Sequence, residues 1–465
     1  MNDKERVHET WLHSNRLVAA KFIRPLLRFT QIAAAGGVVL LVAAAVALVW
    51  ANAFGDSYET FWQTDLSFSV GSFHFEETLK DIVNDALMVI FFFVVGLEIK
   101  RELVVGELKD KRRAALPAIA ALGGMIVPAL IYLSFAGGID GAARGWGVPM
   151  ATDIAFSMGV ISLLGKRVPV GAKLFLLALA ITDDIGAITV IAIFYTTTLS
   201  IPWLFTGLGG LLVVYLAGRA GIRHMAFYVA MGVFIWFAIF ESGVHATLAG
   251  VALGLMTPVF PYYSDDAYYK RATGILNRYQ VDSTSPLKRA RVDHSALQLA
   301  KVAEESVSPL DRLEHSLHPW SAFVIVPLFA LANAGVSFEG VNLGEAVTSS
   351  VALGVAAGLF IGKLVGITLF TWIAIKTGLG RLPQNTDWGQ IVGLAALAGI
   401  GFTVSLFIAE LAYTDVAITN LAKIGIFVGS GISGIVGYML LSRRGAPSQE
   451  PPTPTEAPAL EKVAP

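Results

Sequence analysis

The stretch Ala180-Ile181-Thr182-Asp183-Asp184-Ile185-Gly186-Ala187-Ile188 sets two adjacent aspartates in the middle of an apolar run from about Val170 to Tyr195. That run is long enough to cross a bilayer, which takes roughly 20 residues. A charged carboxylate at membrane depth costs at least ~2.5–3.5 kcal/mol even on the lenient insertion scale. Asp153 and Lys363 stand at similar depth in other apolar runs. Charges kept at such a cost point to function, and the function they point to is movement of a cation or a proton.

Composition agrees. Of 465 residues, 55% are hydrophobic and only 15% are charged, whereas soluble domains carry roughly 25% charged residues. The deficit points to a polytopic membrane protein, whose apolar runs of helix-spanning length make the expected fold class all-α. A net charge of −1 offers nothing to nucleic acid or to a strongly acidic partner. Cysteine is absent, which removes disulfides and thiolate metal sites. The 46 glycines suit helices that pack closely in lipid. Ala51-Asn52-Ala53 superficially resembles a signal-peptidase site, but the apolar run before it, Ile32 to Val49, exceeds a typical h-region of ~7–15 residues. It reads as a retained first span.

Apolar runs of spanning length occur near residues 31–53, 81–99, 114–136, 147–164, 170–196, 202–218, 225–240, 243–260, 320–336, 347–375, 388–412 and 419–441, about twelve by length. The loops between them sort by charge. One set holds Lys100, Arg101, Lys109, Lys111, Arg112, Arg113, Lys166, Arg167, Lys173, Arg219, Arg223, Lys376, Arg381, Arg443 and Arg444. The alternate loops are nearly free of Lys and Arg, with Lys80, Arg144 and Lys423 as exceptions. The positive-inside rule makes the first set, and both termini, cytoplasmic.

Residues 1–30 then form a cytoplasmic N-terminal segment and 31–442 the transporter domain. Residues 57–78 alternate apolar and polar around Val70-Gly71-Ser72, which suits either a β-hairpin on the outer side or an ordered loop. Residues 261–318 form a long charged loop with no obvious core, expected to be cytoplasmic and partly disordered. Residues 443–465, rich in Pro, Glu and Ala from Gly445 on, read as a disordered cytoplasmic tail.

Two spans look broken. The fourth carries Pro149 and then Ala151-Thr152-Asp153, and the eleventh carries Ala398-Gly399-Ile400-Gly401-Phe402-Thr403-Val404-Ser405. Non-helical backbone at membrane depth is tolerated only where protein encloses it or a watery cavity adjoins it. Each break lies in the second helix of a three-span group, and the two groups begin on opposite faces. Paired broken helices in an inverted repeat mark a transporter site. In span 10, Gly354, Gly358, Gly362 and Gly366 form a ladder at spacing four, a stripe that lets another backbone approach. Lys363 stands beside it and needs a carboxylate partner, which Asp183 or Asp153 supplies.

Other signals carry less. Gly429, Gly431 and Gly434 meet the dinucleotide spacing but lie inside an apolar span with no strand before them. No zinc-protease helix, phosphate-cradling loop or nucleophile elbow is present, so the chain reads as no enzyme. A lone His245 near an outer helix end suits packing or capping better than ligation.

These residues resemble the NhaA-type Na+/H+ antiporters of bacterial inner membranes. The matching strings are Val95-Gly96-Leu97-Glu98-Ile99-Lys100-Arg101-Glu102-Leu103, Ala151-Thr152-Asp153-Ile154-Ala155-Phe156 and the Asp183-Asp184 stretch quoted above. They continue with Ser242-Gly243-Val244-His245-Ala246-Thr247, Arg312-Leu313-Glu314-His315-Ser316-Leu317-His318-Pro319-Trp320 and Ala332-Asn333-Ala334-Gly335-Val336-Ser337. Ile361-Gly362-Lys363 and Gly399-Ile400-Gly401-Phe402-Thr403 complete the set. The resemblance spans about residues 31 to 442, and a longer segment at 261–311 with extra residues at both ends departs from it.

The resemblance implies two broken helices crossing near the bilayer midplane at Gly399, Gly401 and Thr403. It makes Asp183 and Asp184 the carriers of Na+ or Li+ and of protons. Asp153 would offset positive half-helix ends, Lys363 would pair with Asp183 or Asp153, and Thr152 would lie beside the site. No cofactor is implied. Burial disfavours a carboxylate's charged form and a nearby ammonium favours it, so metal and hydrogen ions would take turns on the same oxygens. Two protons leaving for one Na+ would move net charge, worth ~2.3 kcal/mol per charge per 100 mV. Activation by alkaline pH is also implied, with Glu98, Glu102, Glu314, His315 and His318 as sensing candidates and His245 as a further one. So is a homodimer through the 57–78 hairpin. A cation channel or proton-linked receptor using the same charges as a gate is the alternative, and an intramembrane enzyme lacks any supporting motif.

Overall fold

A computed structural model of the protein describes residues 35–70, 73–196, 199–222, 225–278, 286–338 and 343–443. The N-terminal segment, Gly71 and Ser72, Arg223, Arg444 and the C-terminal tail lie outside the described residues.

Helix α1, Ala35–Ala53, buries Ala35, Gly37, Leu40, Ala44 and Ala47. Its other face, with Val38, Leu41, Val42, Val46 and Val49, is about half exposed. Spacing by three and four puts small residues inward and branched ones outward, the reverse of a water-soluble surface and suited to lipid. After a short α2, Ser57–Trp62, strands β1, Asp65–Val70, and β2, Phe73–Thr78, pair antiparallel in a register running from Asp65↔Thr78 to Val70↔Phe73. The hairpin thus exists, but it begins at Asp65; residues 57–62 are helical, with Tyr58 and Trp62 buried on one side.

Helix α3, Leu79–Val104, and α4, Lys111–Ala136, follow. A 3-10 segment, Ala143–Met150, leads to α5, Ile154–Leu164. Next come α6, Val170–Phe194, α7, Ile201–Arg219, α8, Met225–Glu241, and α9, Thr247–Met256. Beyond them lie α10, Asp265–Arg278, α11, Pro286–Glu305, α12, Pro309–Asn333, α13, Leu343–Thr348, and α14, Ser350–Lys376. The chain closes with α15, Trp388–Leu397, α16, Phe402–Ala412, and α17, Val416–Ser442.

Among the described residues nine helices are long and apolar enough to cross a membrane, and the α15–α16 pair, bent by 46°, makes a tenth if it counts as one span. Against the twelve apolar runs, α8 and α9 have 17 and 10 residues, short of the roughly 20 a span takes. The 261–318 segment contains regular structure. Helices α10 and α11 occupy much of it and pack on each other, and the Tyr262 and Tyr263 amides donate to the Glu305 carbonyl at 3.1 and 3.4 Å. These helices are polar overall, so a search for runs of spanning length passes over them. Helix α12 begins well before its apolar run, where Ser308 accepts from the Asp311 amide at 3.0 Å as its cap.

Small residues set the packing that matters here. A methyl on Gly366 of α14 would lie 2.2 Å from the Gly123 carbonyl oxygen of α4, and one on Gly362 would lie 2.7 Å from Pro128 Cα. The ladder read from sequence is thus the seam between α14 and α4. A second seam joins α3 to α9, where methyls on Gly96 and Gly250 would meet the Val251 and Val89 carbonyls at 2.8 and 2.3 Å.

Candidate cation and proton site

Both broken spans are broken where expected. Ala151 and Asp153 have extended backbone between the 3-10 segment and α5, and α15 ends at Leu397 before α16 resumes at Phe402. The two breaks cross, and the Asp153 amide donates to the Ile400 carbonyl at 2.6 Å. Helix ends at this depth leave orphan amides and carbonyls that water cannot reach. Side chains satisfy them. Ser157 Oγ donates to the Leu397 carbonyl at 3.0 Å, and Ser405 Oγ donates to the Val148 carbonyl at 2.7 Å. Ser430 Oγ, from α17, accepts from the Gly401 and Phe402 amides at 3.2 and 3.3 Å.

Asp153 serves two helix starts at once. Its Oδ1 accepts from the Phe156 amide at 3.0 Å, and its Oδ2 accepts from the Thr403 amide at 3.2 Å and Thr403 Oγ1 at 2.6 Å. A carboxylate there offsets the positive ends of α5 and α16. Gly399 and Gly401 make the crossing possible, since methyls on them would lie 2.3 Å from the Leu359 carbonyl and 2.2 Å from Ser405 Oγ.

Beside the crossing, α6 presents Asp183 and Asp184, 0% and 6% exposed. Neighbouring residues on a helix point about 100° apart at 3.6 residues per turn, so the two carboxylates have different surroundings. Asp183 Oδ2 forms an ion pair with Lys363 Nζ, both side chains fully buried. The single proton of Thr152 Oγ1 serves either Asp183 Oδ2 at 2.7 Å or the Ala398 carbonyl at 2.8 Å, while that oxygen accepts from Lys363 Nζ at 3.0 Å. Lys363 follows a π-turn, Gly358–Gly362, a helix irregularity frequent at functional sites. Its stem passes small residues of α4, with Lys363 Cδ 3.5 Å from where a Gly124 methyl would stand. Asp183 Oδ1 and Asp184 Oδ1 are buried with no hydrogen-bond partner among the described residues.

Residues 27–441 match the family model described as Na+/H+ antiporter 1. The chain belongs to that family. It is 45% identical to a Na+/H+ antiporter NhaA of Koribacter versatilis over 441 residues, covering 94% of this chain and 96% of that one. It is 48% identical to a Na+/H+ antiporter NhaA of Rhodopirellula baltica, covering 90% and 94%. It is 44% identical to Na+/H+ antiporter NhaA 1 of Klebsiella pneumoniae, covering 91% and 97%.

The remaining candidates of this antiporter-family chain fall into two places. Arg101 of α3 pairs with Glu314 of α12 at 2.5 Å, and both, with Glu102, lie close enough to act on Glu98. Glu102 Oε2 accepts from the Glu107 amide at 3.0 Å, a capping role. His315 and His318 are exposed on α12. His245 is elsewhere, its Nε2 2.9 Å from the Tyr195 carbonyl just beyond the far end of α6, consistent with packing.

Sequence reading missed the hydroxyls of Ser157, Ser405 and Ser430. Their signal was weak, since serines in apolar helices commonly bond their own backbone. It also missed Glu410 of α16, which accepts from Lys80 and faces Lys423, each at 2.7 Å. An acid near the end of an apolar run, together with two lysines outside the basic loops, was the available sign.

Proposed function

We propose that the chain is an electrogenic antiporter, expelling Na+ or Li+ in exchange for more than one H+ through competition for Asp183 and Asp184. One observation carries this reading. Two buried carboxylate oxygens stand unpartnered next to an ion pair, at the crossing of two broken helices. A buried charge without a partner is strongly unfavourable, so Asp184 needs either a proton or a metal cation, and each occupant excludes the other. Asp183 already has Lys363, so a cation drawing on both carboxylates must displace that ammonium. Release of the Asp184 proton together with a second one, from the Lys363 ammonium that the cation displaces from Asp183, for one Na+ moves net charge, which lets the membrane potential drive export.

In this reading the short α8 and α9 and the bent α15–α16 pair complete twelve spans, and the two broken spans belong to inverted repeats. The Lys- and Arg-rich loops and both termini face the cytoplasm of a bacterial inner membrane, and the β1–β2 hairpin on the other face joins two copies. Alternating access comes from rocking the broken-helix bundle against the helices around α3 and α12. The Glu98, Arg101, Glu102 and Glu314 cluster, with His315 and His318 beyond it, tunes the response toward alkaline pH.

Purified protein in proteoliposomes tests this. Sodium and lithium should each drive proton movement, potassium should not, and sodium uptake should release protons in a binding titration. Sodium binding with no proton release, or conduction with no exchange as in a channel, would overturn it.

A further inference from the structure

Thr403, Phe407 and Glu410 fall on one stripe of α16 at spacings of four and three, leading from the helix crossing to the end of the helix. Thr403 touches Asp153 at the crossing. One turn on, Phe407 lies between Phe92 of α3 and Phe329 of α12, with ring centroids 5.2 and 6.2 Å away. All three rings are at most 4% exposed, and they stand along α16 between the crossing and this face. At the end of the stripe Glu410 Oε2 accepts from Lys80 Nζ at 2.7 Å, and Glu410 Oε1 lies 2.7 Å from Lys423 Nζ. This face is opposite the Lys- and Arg-rich loops.

The two ammonium groups differ in origin and in exposure. Lys423 belongs to α17, which packs against α16 and carries the Ser430 that caps it. Its side chain is 5% exposed. Lys80 belongs to the first turn of α3, on the other side of the contact, and is 29% exposed. The exposed Glu59 of α2 also favours the charged form of Lys423. One cation already neutralises Glu410 from within its own bundle. The second, on a side chain that already reaches water, leaves at a lower cost than Lys423 would, because Glu410, itself only 14% exposed, then still keeps one cation. A buried pair broken on one side is far costlier.

We propose that Lys80 and Glu410 are positioning residues for exchange: a latch that holds this face closed and parts in every cycle, while Lys423 keeps Glu410 neutralised after Lys80 leaves. The proposal rests on the alternating-access reading above.

The chain has no cysteine, so a Lys80→Cys/Glu410→Cys pair is unique. Linked in proteoliposomes with a short bifunctional methanethiosulfonate, it should lose sodium-dependent proton exchange by at least ~10-fold, because the conformational step is then blocked. A reductant should restore it. Linking a Glu410→Cys/Lys423→Cys pair, which lies within one bundle, should leave exchange at the rate that same variant shows before linking. Exchange that continues through the first link at the unlinked rate overturns the latch while leaving antiport intact, and so does equal block by both links. Should the cysteine pair be inactive before linking, Lys80→Gln decides. Weakening a latch on one face shifts the population, so half-saturating sodium should fall when offered at that face and rise when offered at the other. Equal values for parent and variant at both faces overturn the proposal.

Discussion

Lys363 and Asp183 form an ion pair in which neither side chain is exposed, although 180 residues separate them in the chain. The pair joins α14 to α6 and leaves Asp184, next in sequence, without a cation of its own. Two adjacent carboxylates are thereby made unequal, one compensated within the protein and the other only by whatever ion arrives. The stability and transport effects of substitutions here should therefore separate.

Lys363→Ala removes the cation and leaves Asp183 buried beside Thr152. Breaking one side of a buried pair costs about 3–5 kcal/mol, so the melting temperature in detergent should fall by several degrees. Adding Asp183→Asn should recover part of the loss, as expected for coupled neighbours. A melting temperature unchanged by Lys363→Ala would remove the pair as a structural tie, and the same variant should shift the pH profile of exchange.

Asp184→Asn acts in the opposite direction. It deletes a buried carboxylate whose Oδ1 has no hydrogen-bond partner among the described residues, so thermal stability should hold or rise, while sodium-dependent proton movement should disappear. Retained exchange would exclude Asp184 as a carrier.

Much of this site could be read in advance because charge at membrane depth is conspicuous. Asp153, Asp183, Asp184 and Lys363 stood out for that reason, and Pro149, Gly399 and Gly401 marked the breaks. The choice of Asp183 over Asp153 as partner of Lys363 was not legible. It depends on the rotation of α14 against α6, which the π-turn before Lys363 alters and no local pattern encodes. Lys80 and Lys423 were visible only as exceptions to the charge pattern, since their partner lies over three hundred positions from one of them and on a neighbouring helix from the other. Helices α10 and α11 escaped notice because they are too polar overall to register as apolar runs, although α10 is amphipathic.

Asp153→Asn keeps an oxygen for Thr403 or Phe156 but loses the charge that faces two helix starts. Dipole compensation of this kind contributes about 0.3–1 kcal/mol per helix end, up to ~2 where partly buried. Exchange should fall several-fold without vanishing, and Thr403→Val should show a smaller loss of the same kind. Complete loss in Asp153→Asn with normal folding would instead make Asp153 a carrier.

Gly366→Ala tests the seam that places Lys363. Its methyl would stand 2.2 Å from the Gly123 carbonyl oxygen and 3.0 Å from Val127 Cβ, so α14 and α4 must move apart. Overpacking of this sort typically costs 1–3 kcal/mol, roughly, and here the shift also draws the ammonium away from Asp183. The melting temperature and the exchange rate should fall together. Gly431→Ala in α17, where nothing lies within 4 Å of the added methyl, should change neither. If Gly366→Ala lowers stability while exchange stays at the parental rate, the seam holds the helices together without setting the position of Lys363.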